Sequence, residues 1–169
     1  MTALVRAGHR GVLVAVCAGL FLLTACSGIP DGVGVNSPTP AVMTDDAAKQ
    51  QVHDRATRLI TAIGNPEIGE GDVSRAPCGD NGSGLYDMAG IYQLIIPAEK
   101  QREALDRAKA HARDHGFEIA GEKDYPRGGG TFTAVNRQTG FDFTIRSGEP
   151  PAVVLTVVSA CYRPGPSGS

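Results

Sequence analysis

AVVLTVVSAC, residues Ala152–Cys161, carries apolar side chains on both parities of an extended chain. A strand with one solvated face alternates apolar and polar residues, so a strand apolar on both sides reads as one inside a sheet with both faces covered. LYDMAGIYQLII, residues Leu85–Ile96, has the same two-sided character, with Gly90 as an expected bulge. Between these two stretches, from Phe117 onward, the apolar period is two. Strands are expected near Phe117–Tyr125, Thr131–Gln138 and Phe141–Ser147, joined by turns at Pro126–Gly130 (PRGGG) and Thr139-Gly140. The Phe141 strand alternates cleanly, with Phe141, Phe143 and Ile145 opposite Asp142, Thr144 and Arg146.

Working outward, two helices are expected. Thr44, Asp45 and Asp46 supply a cap and negative charge at a helix start. Ala48, Val52, Ala56, Leu59, Ile60 and Ile63 then recur at helical spacing until Gly64-Asn65-Pro66 stops the run. A second helix is expected over Ala98–His115 behind Pro97, with a thin stripe of Ala104, Leu105, Ala108 and Ala112 and a left-handed cap at Gly116. Glu67–Gly84, rich in glycine, reads as a long loop. The expected fold is α+β, two helices packed on a mainly antiparallel five-stranded sheet in the order α-β-α-β-β-β-β.

The start of the chain gives an address. Arg6 and Arg10 precede an apolar run, Gly11–Leu23, of 13 residues. That is too short to cross a hydrocarbon core of about 30 Å as a helix. A charged flank, a short apolar run and small residues read as a secretory signal. Leu23, Thr24, Ala25 and Cys26 have the pattern of a bacterial lipobox, in which the cysteine receives a diacylglyceryl group before cleavage. The expected organisation is a signal over 1–25, a flexible Gly/Pro/Ser-rich tether over 26–43, a globular domain over 44–163 and a disordered tail over 164–169. Localisation follows: the outer face of the cell membrane, lipid-anchored.

Loss of 1–25 removes two arginines and no acid, taking the formal charge from −2 to −4. A mildly acidic chain has no electrostatic footprint for nucleic acid. It also has no polybasic patch for anionic lipid, so membrane contact rests on acyl chains. With Cys17 in the signal and Cys26 acylated, Cys78 and Cys161 remain in an exported domain and are expected to pair. That bridge would place the Leu85 and Ala152 strands side by side and antiparallel in mid-sheet.

Signal, lipobox Leu23–Cys26, tether, helix, cysteine loop, meander and a closing strand ending in Cys161 resemble small actinobacterial lipoproteins of the LppA type. The resemblance implies a fold and an address, and no catalytic residue.

Candidate chemistry is thin. His111 and His115 share a helix face in His111-Ala112-Arg113-Asp114-His115, near the inverted zinc-protease pattern, but Asp114 stands where glutamate is required. A solvated helix end, with His and Arg complementing the dipole, is the reading adopted. Gly128-Gly129-Gly130 lies between strands and so reads as a hairpin loop, not a phosphate cradle. Asp80–Gly84 lacks the EF-hand spacing and reads as a plain loop. Ser83, Ser147 and Ser159 lie outside any G-x-S-x-G elbow. Glu99, Lys100, Glu103, Asp106 and Arg107 form a solvated helix face. No catalytic residue, cofactor or metal is expected. The function expected is binding or assembly with an envelope protein partner, with a carrier of an apolar ligand as the alternative.

Overall fold

The computed structural model describes residues 39–126 and 128–166. Leu23, Thr24, Ala25 and Cys26 lie outside them, as do most of the expected tether and the last residues of the expected tail. The elements are β1 (Val42–Met43), α1 (Asp45–Ala62), β2 (Glu67–Pro77), β3 (Tyr86–Ile95), α2 (Ala98–Asp114), β4 (Glu118–Asp124), β5 (Gly130–Asn136), β6 (Phe141–Ser147), β7 (Ala152–Val158) and β8 (Arg163–Pro164). The six-stranded sheet has the order β2-β3-β7-β6-β5-β4, and every neighbouring pair is antiparallel. β1 and β8 form a separate two-stranded parallel pair. The class is α+β, as the sequence pattern indicates.

Local chemistry sets the helices. The Thr44 hydroxyl accepts a hydrogen bond from the Ala47 amide at 3.3 Å, with Asp45 and Asp46 in the first turn of α1. Gly116, at φ 74°, turns the chain out of α2, and the Phe117 amide reaches the Ala112 carbonyl at 2.9 Å. That left-handed residue is why glycine serves there.

Both helices feed one core. Val52, Ala56, Leu105, Ala108, Met88, Leu94, Phe132, Ile145 and Leu155 are all essentially excluded from water. Register places Tyr92 with Leu155 and Ile145, and Gly90 with Val157 and Phe143, on the helix-covered face. Cys78 and Cys161 are bonded, with Cα atoms 6.0 Å apart. Tyr86 and Tyr162 bridge beside them, and β3 and β7 are the antiparallel mid-sheet neighbours expected.

Four expectations need correction. Residues 67–77 are an edge strand, not loop: the sheet has six strands where five were expected. The strand is held by its ladder to β3, and nearly all its side chains are exposed, so no buried alternation marks it. Gly90 is not bulged; its register is continuous, and a Cβ there would lie 2.7 Å from Val52 Cγ1. The bulges fall instead in the edge strands, between Ile68 and Glu70 and between Ile119 and Gly121. β3 and β7 are covered on one face only, with Ile91 53% and Val154 36% exposed on the other. Order also begins earlier and ends later than the expected limits at 44 and 163, because Met43 and Pro164 belong to the β1–β8 pair. No helix among the described residues is long and apolar enough to cross a membrane.

Candidate functional site

The end of α2, the middle of α1 and the start of β6 enclose a cleft that no single stretch of sequence announces. Its walls include Arg55, Arg58, His111 and His115, and its apolar lining Phe117, Phe141, Phe143 and Val157. The cleft is small, with a cavity volume of about 40 Å³, and is open to solvent, well below ligand sites of about 300–1,000 Å³.

Each wall has a structural cause. The helical repeat puts Arg55 and Arg58 one turn apart on α1, beside the stripe that buries Ala56 and Leu59. His111 and His115 close α2, their rings stacked at 4.0 Å between centroids and 25° between planes. His115 Nδ1–H donates to the His111 carbonyl at 2.8 Å, satisfying a last-turn acceptor and leaving Nε2 free of that bond. Phe117, delivered by the Gly116 turn, meets Phe143 edge-on at 5.2 Å. The Arg55 guanidinium lies over the Phe141 ring at 4.0 Å.

Two guanidinium groups, Arg55 and Arg58, and one carboxylate, Asp142, border the cleft. Arg75, Arg102, Arg107 and Arg137 are each paired with a carboxylate. Among the described residues Arg55 and Arg58 are in no ion pair, and neither are Arg113, Arg146 and Arg163. Burial pushes the Arg55 pKa down, Arg58 pushes it the same way, and Tyr162 opposes them. Burial also lowers the His111 pKa, followed by His115, with Asp114 acting against them and Arg58 adding a further depression. Both shifts disfavour the charged forms of Arg55 and His111, chiefly through burial. Asp142 borders the cleft, but register groups its side chain with Val158 and Val135 on the opposite face, where burial raises its pKa.

The residues singled out from sequence distribute as follows. Cys78 and Cys161 come together. His111 and His115 share a face as expected, and no group of three or more metal-ligating side chains occurs among the described residues. Gly128–Gly130 lie in the turn between β4 and β5, where the Gly128 amide bonds the Tyr125 carbonyl. Asp80–Gly84 form a turn in which Ser83 donates to the Cys78 carbonyl. The hydroxyls of Ser147 and Ser159 are engaged by backbone, at Gly130 and at Met88 and Ala160 respectively. Arg55, Arg58 and the three phenylalanines went unread in the sequence as a site. The sequence offered no distinguishing signal: Arg55 and Arg58 stand at i, i+3 on a solvated helix, with Asp54 four residues before Arg58.

This arrangement presents the Arg55 and Arg58 guanidinium groups at the mouth of a small cleft, where they can meet negative charge. Comparison with protein-family models, with curated proteins and with solved structures finds no match for this chain.

Proposed function

We propose that this chain is a lipid-anchored extracytoplasmic binding protein of the cell envelope, attached through Cys26 and acting through the cleft between α1 and α2. The lipobox-like Leu23, Thr24, Ala25 and Cys26 support the address, in keeping with the small LppA-type lipoproteins that the sequence resembles. The observation that carries the binding role is Arg55, half-buried over the Phe141 ring and in no ion pair among the described residues, with the exposed Arg58 one turn away at the mouth of the cleft. Holding the half-buried Arg55 without a carboxylate partner has a cost, and a ligand that supplies negative charge beside it reduces that cost. Its partners are the membrane, through the covalent lipid, and a further envelope component that occupies the cleft. The carrier alternative needs room between sheet and helices, and the full burial of Val52, Met88, Leu105 and Leu155 there counts against it.

One experiment in intact cells tests both halves. A photo-cross-linking residue replaces Thr61, exposed on α1 one turn past Arg58, and in a control replaces Lys100 at the far end of α2. Adducts from position 61 in the membrane fraction, absent from position 100, are expected. Cys26→Ala should abolish acyl labelling and remove the chain from that fraction. Equal adducts from both positions would defeat the assignment of the cleft, and unchanged acylation would defeat the anchor.

A further inference from the structure

Independently of the cleft, we infer that the uncovered face of the sheet is the interface between two copies of this chain. The copies stack face to face about a two-fold axis that crosses the strands along the row Ile91, Thr156, Thr144 and Thr133. Both helices pack on the other face, and no described helix covers this one. A sheet face left to water carries polar side chains. This one carries Ala89, Ile91, Val154 and Val158 on its two middle strands, with Ile91 and Val154 exposed. Beside them the Thr133 and Thr144 hydroxyls already bond one another at 2.8 Å.

Charge complementarity selects a second copy as the occupant. Register sets Arg146 and Val154 in one row, with Lys123 toward its end, and Asp142 and Val158 in another, with Glu118 toward its end. These rows flank the Thr144 row at equal distance. The two-fold therefore lays Arg146 over Asp142 of the second copy, Lys123 over Glu118 and Val154 over Val158, each contact made twice. Within one chain Asp142 and Arg146 cannot meet, since four residues along a strand span about 13 Å. Asp142, Arg146 and Lys123 are in no ion pair among the described residues. Burial already raises the Asp142 pKa, a cost that a facing guanidinium offsets. The like-charged contact that remains, Asp72 against its own copy, falls on edge strand β2, where sheet twist carries the faces apart. Six strands about 4.8 Å apart, seven residues long at about 3.3 Å each, present roughly 650 Å² per copy. Two such faces reach the lower end of stable interfaces, about 1,200–2,000 Å² in total.

The test is sedimentation equilibrium of the full chain in density-matched nonionic micelles, where a concentration-dependent dimer is expected. Arg146→Asp and Asp142→Arg should each weaken it roughly hundredfold, because each sets like charges together twice. An equimolar mixture of the two variants should recover the dimer, since an acidic copy then faces a basic one. Arg146→Gln and Asp142→Asn, each weakening association roughly tenfold, keep the test decisive should a reversal fail to fold. In intact cells a photo-cross-linking residue at Thr156, on the axis, should give an adduct of twice the chain mass, and one at Glu99 on α2 should not. Monomer alone up to about 100 μM, folded reversals that associate like the unaltered chain, or a mixture no better than its components would overturn the inference. So would position-156 adducts with a different protein in place of a second copy.

Discussion

Removing one sulfur from the Cys78–Cys161 bond tests how the domain is held together. The bond closes a loop of sequence separation 83 that contains β3 through β7 and leaves α1 and β2 outside. The loop-closure relation, about 2.1 + 1.5R ln n in entropy, gives roughly 4.5 kcal/mol at room temperature for a loop of that size. Little of this is native contact, since both cysteines are only half-buried. The Tyr86–Tyr162 bridge, with amide-to-carbonyl distances of 3.0 and 2.7 Å, keeps the two ends together without the bond. Cys78→Ala should therefore fold to the same sheet and lose about 3–4.5 kcal/mol. Urea denaturation followed by far-ultraviolet circular dichroism reads that loss. The slope should rise as well, because the unlinked unfolded chain exposes more surface. Cys78→Ala/Cys161→Ala should match either single variant within about 0.5 kcal/mol, since each removes the same bond. A loss below about 1 kcal/mol in the single variants, or a double variant costing twice as much, would refute the unfolded-chain account.

Other perturbations probe the packing and the sheet's open face. Gly90→Ala forces a Cβ to within 2.7 Å of Val52 Cγ1 and 2.9 Å of the Tyr92 ring, and thermal unfolding should register a cost of about 1–3 kcal/mol; Val52→Ala in the same chain should recover part of it if the clash is the cause. Ser147→Ala removes a buried hydroxyl that accepts from the Gly130 amide and donates to the Gly130 carbonyl; a loss of about 1–3 kcal/mol and faster exchange of the Gly130 amide are expected. Burial raises the Asp87 pKa, and its Oδ1 has no hydrogen-bond partner among the described residues. A raised folded-state carboxyl pKa favours folding at low pH and opposes it above that pKa. Asp87→Asn should thus raise the unfolding midpoint at neutral pH, with the gain vanishing as pH falls through the folded-state pKa to the ordinary carboxylate value; a gain independent of pH would mean the charge is not responsible.

What the sequence made legible is what burial writes into it. The stripes of α1 and α2 and the alternation of β6 each record a face turned to the core, and the two cysteines outside the expected signal and lipobox left one pairing to propose. β2 escaped notice because an edge strand with exposed side chains is under no such constraint, and Gly69, Gly71 and Pro77 look like loop when read without the ladder. The two-sided apolar pattern of β3 and β7 marked their central place correctly, yet Ile91 and Val154 face outward with no helix above them. Both strands have hydrogen-bonded neighbours on either side, and strand-favouring residues suit that position whether or not a layer covers them. The cleft was illegible for a different reason. Arg55, His111 and Phe141 come from three separate elements, and only the fold makes them neighbours.

The β1–β8 pair governs how the domain answers to tension. Its bonds are few: the Arg163 amide to the Ala41 carbonyl and the Gly165 amide to the Met43 carbonyl, each 2.8 Å, with the Tyr86 hydroxyl on the Met43 carbonyl at 2.7 Å. The strands are parallel, and β8 is tied to the sheet by its leading end through Tyr162 and Cys161. A pull on the chain ahead of Val42 therefore opens these bonds one after another, like a zip, rather than loading them together. This clasp yields before α1 or the sheet is strained. Under such a load the chain would gain a few residues of slack, regained by re-pairing once the load falls.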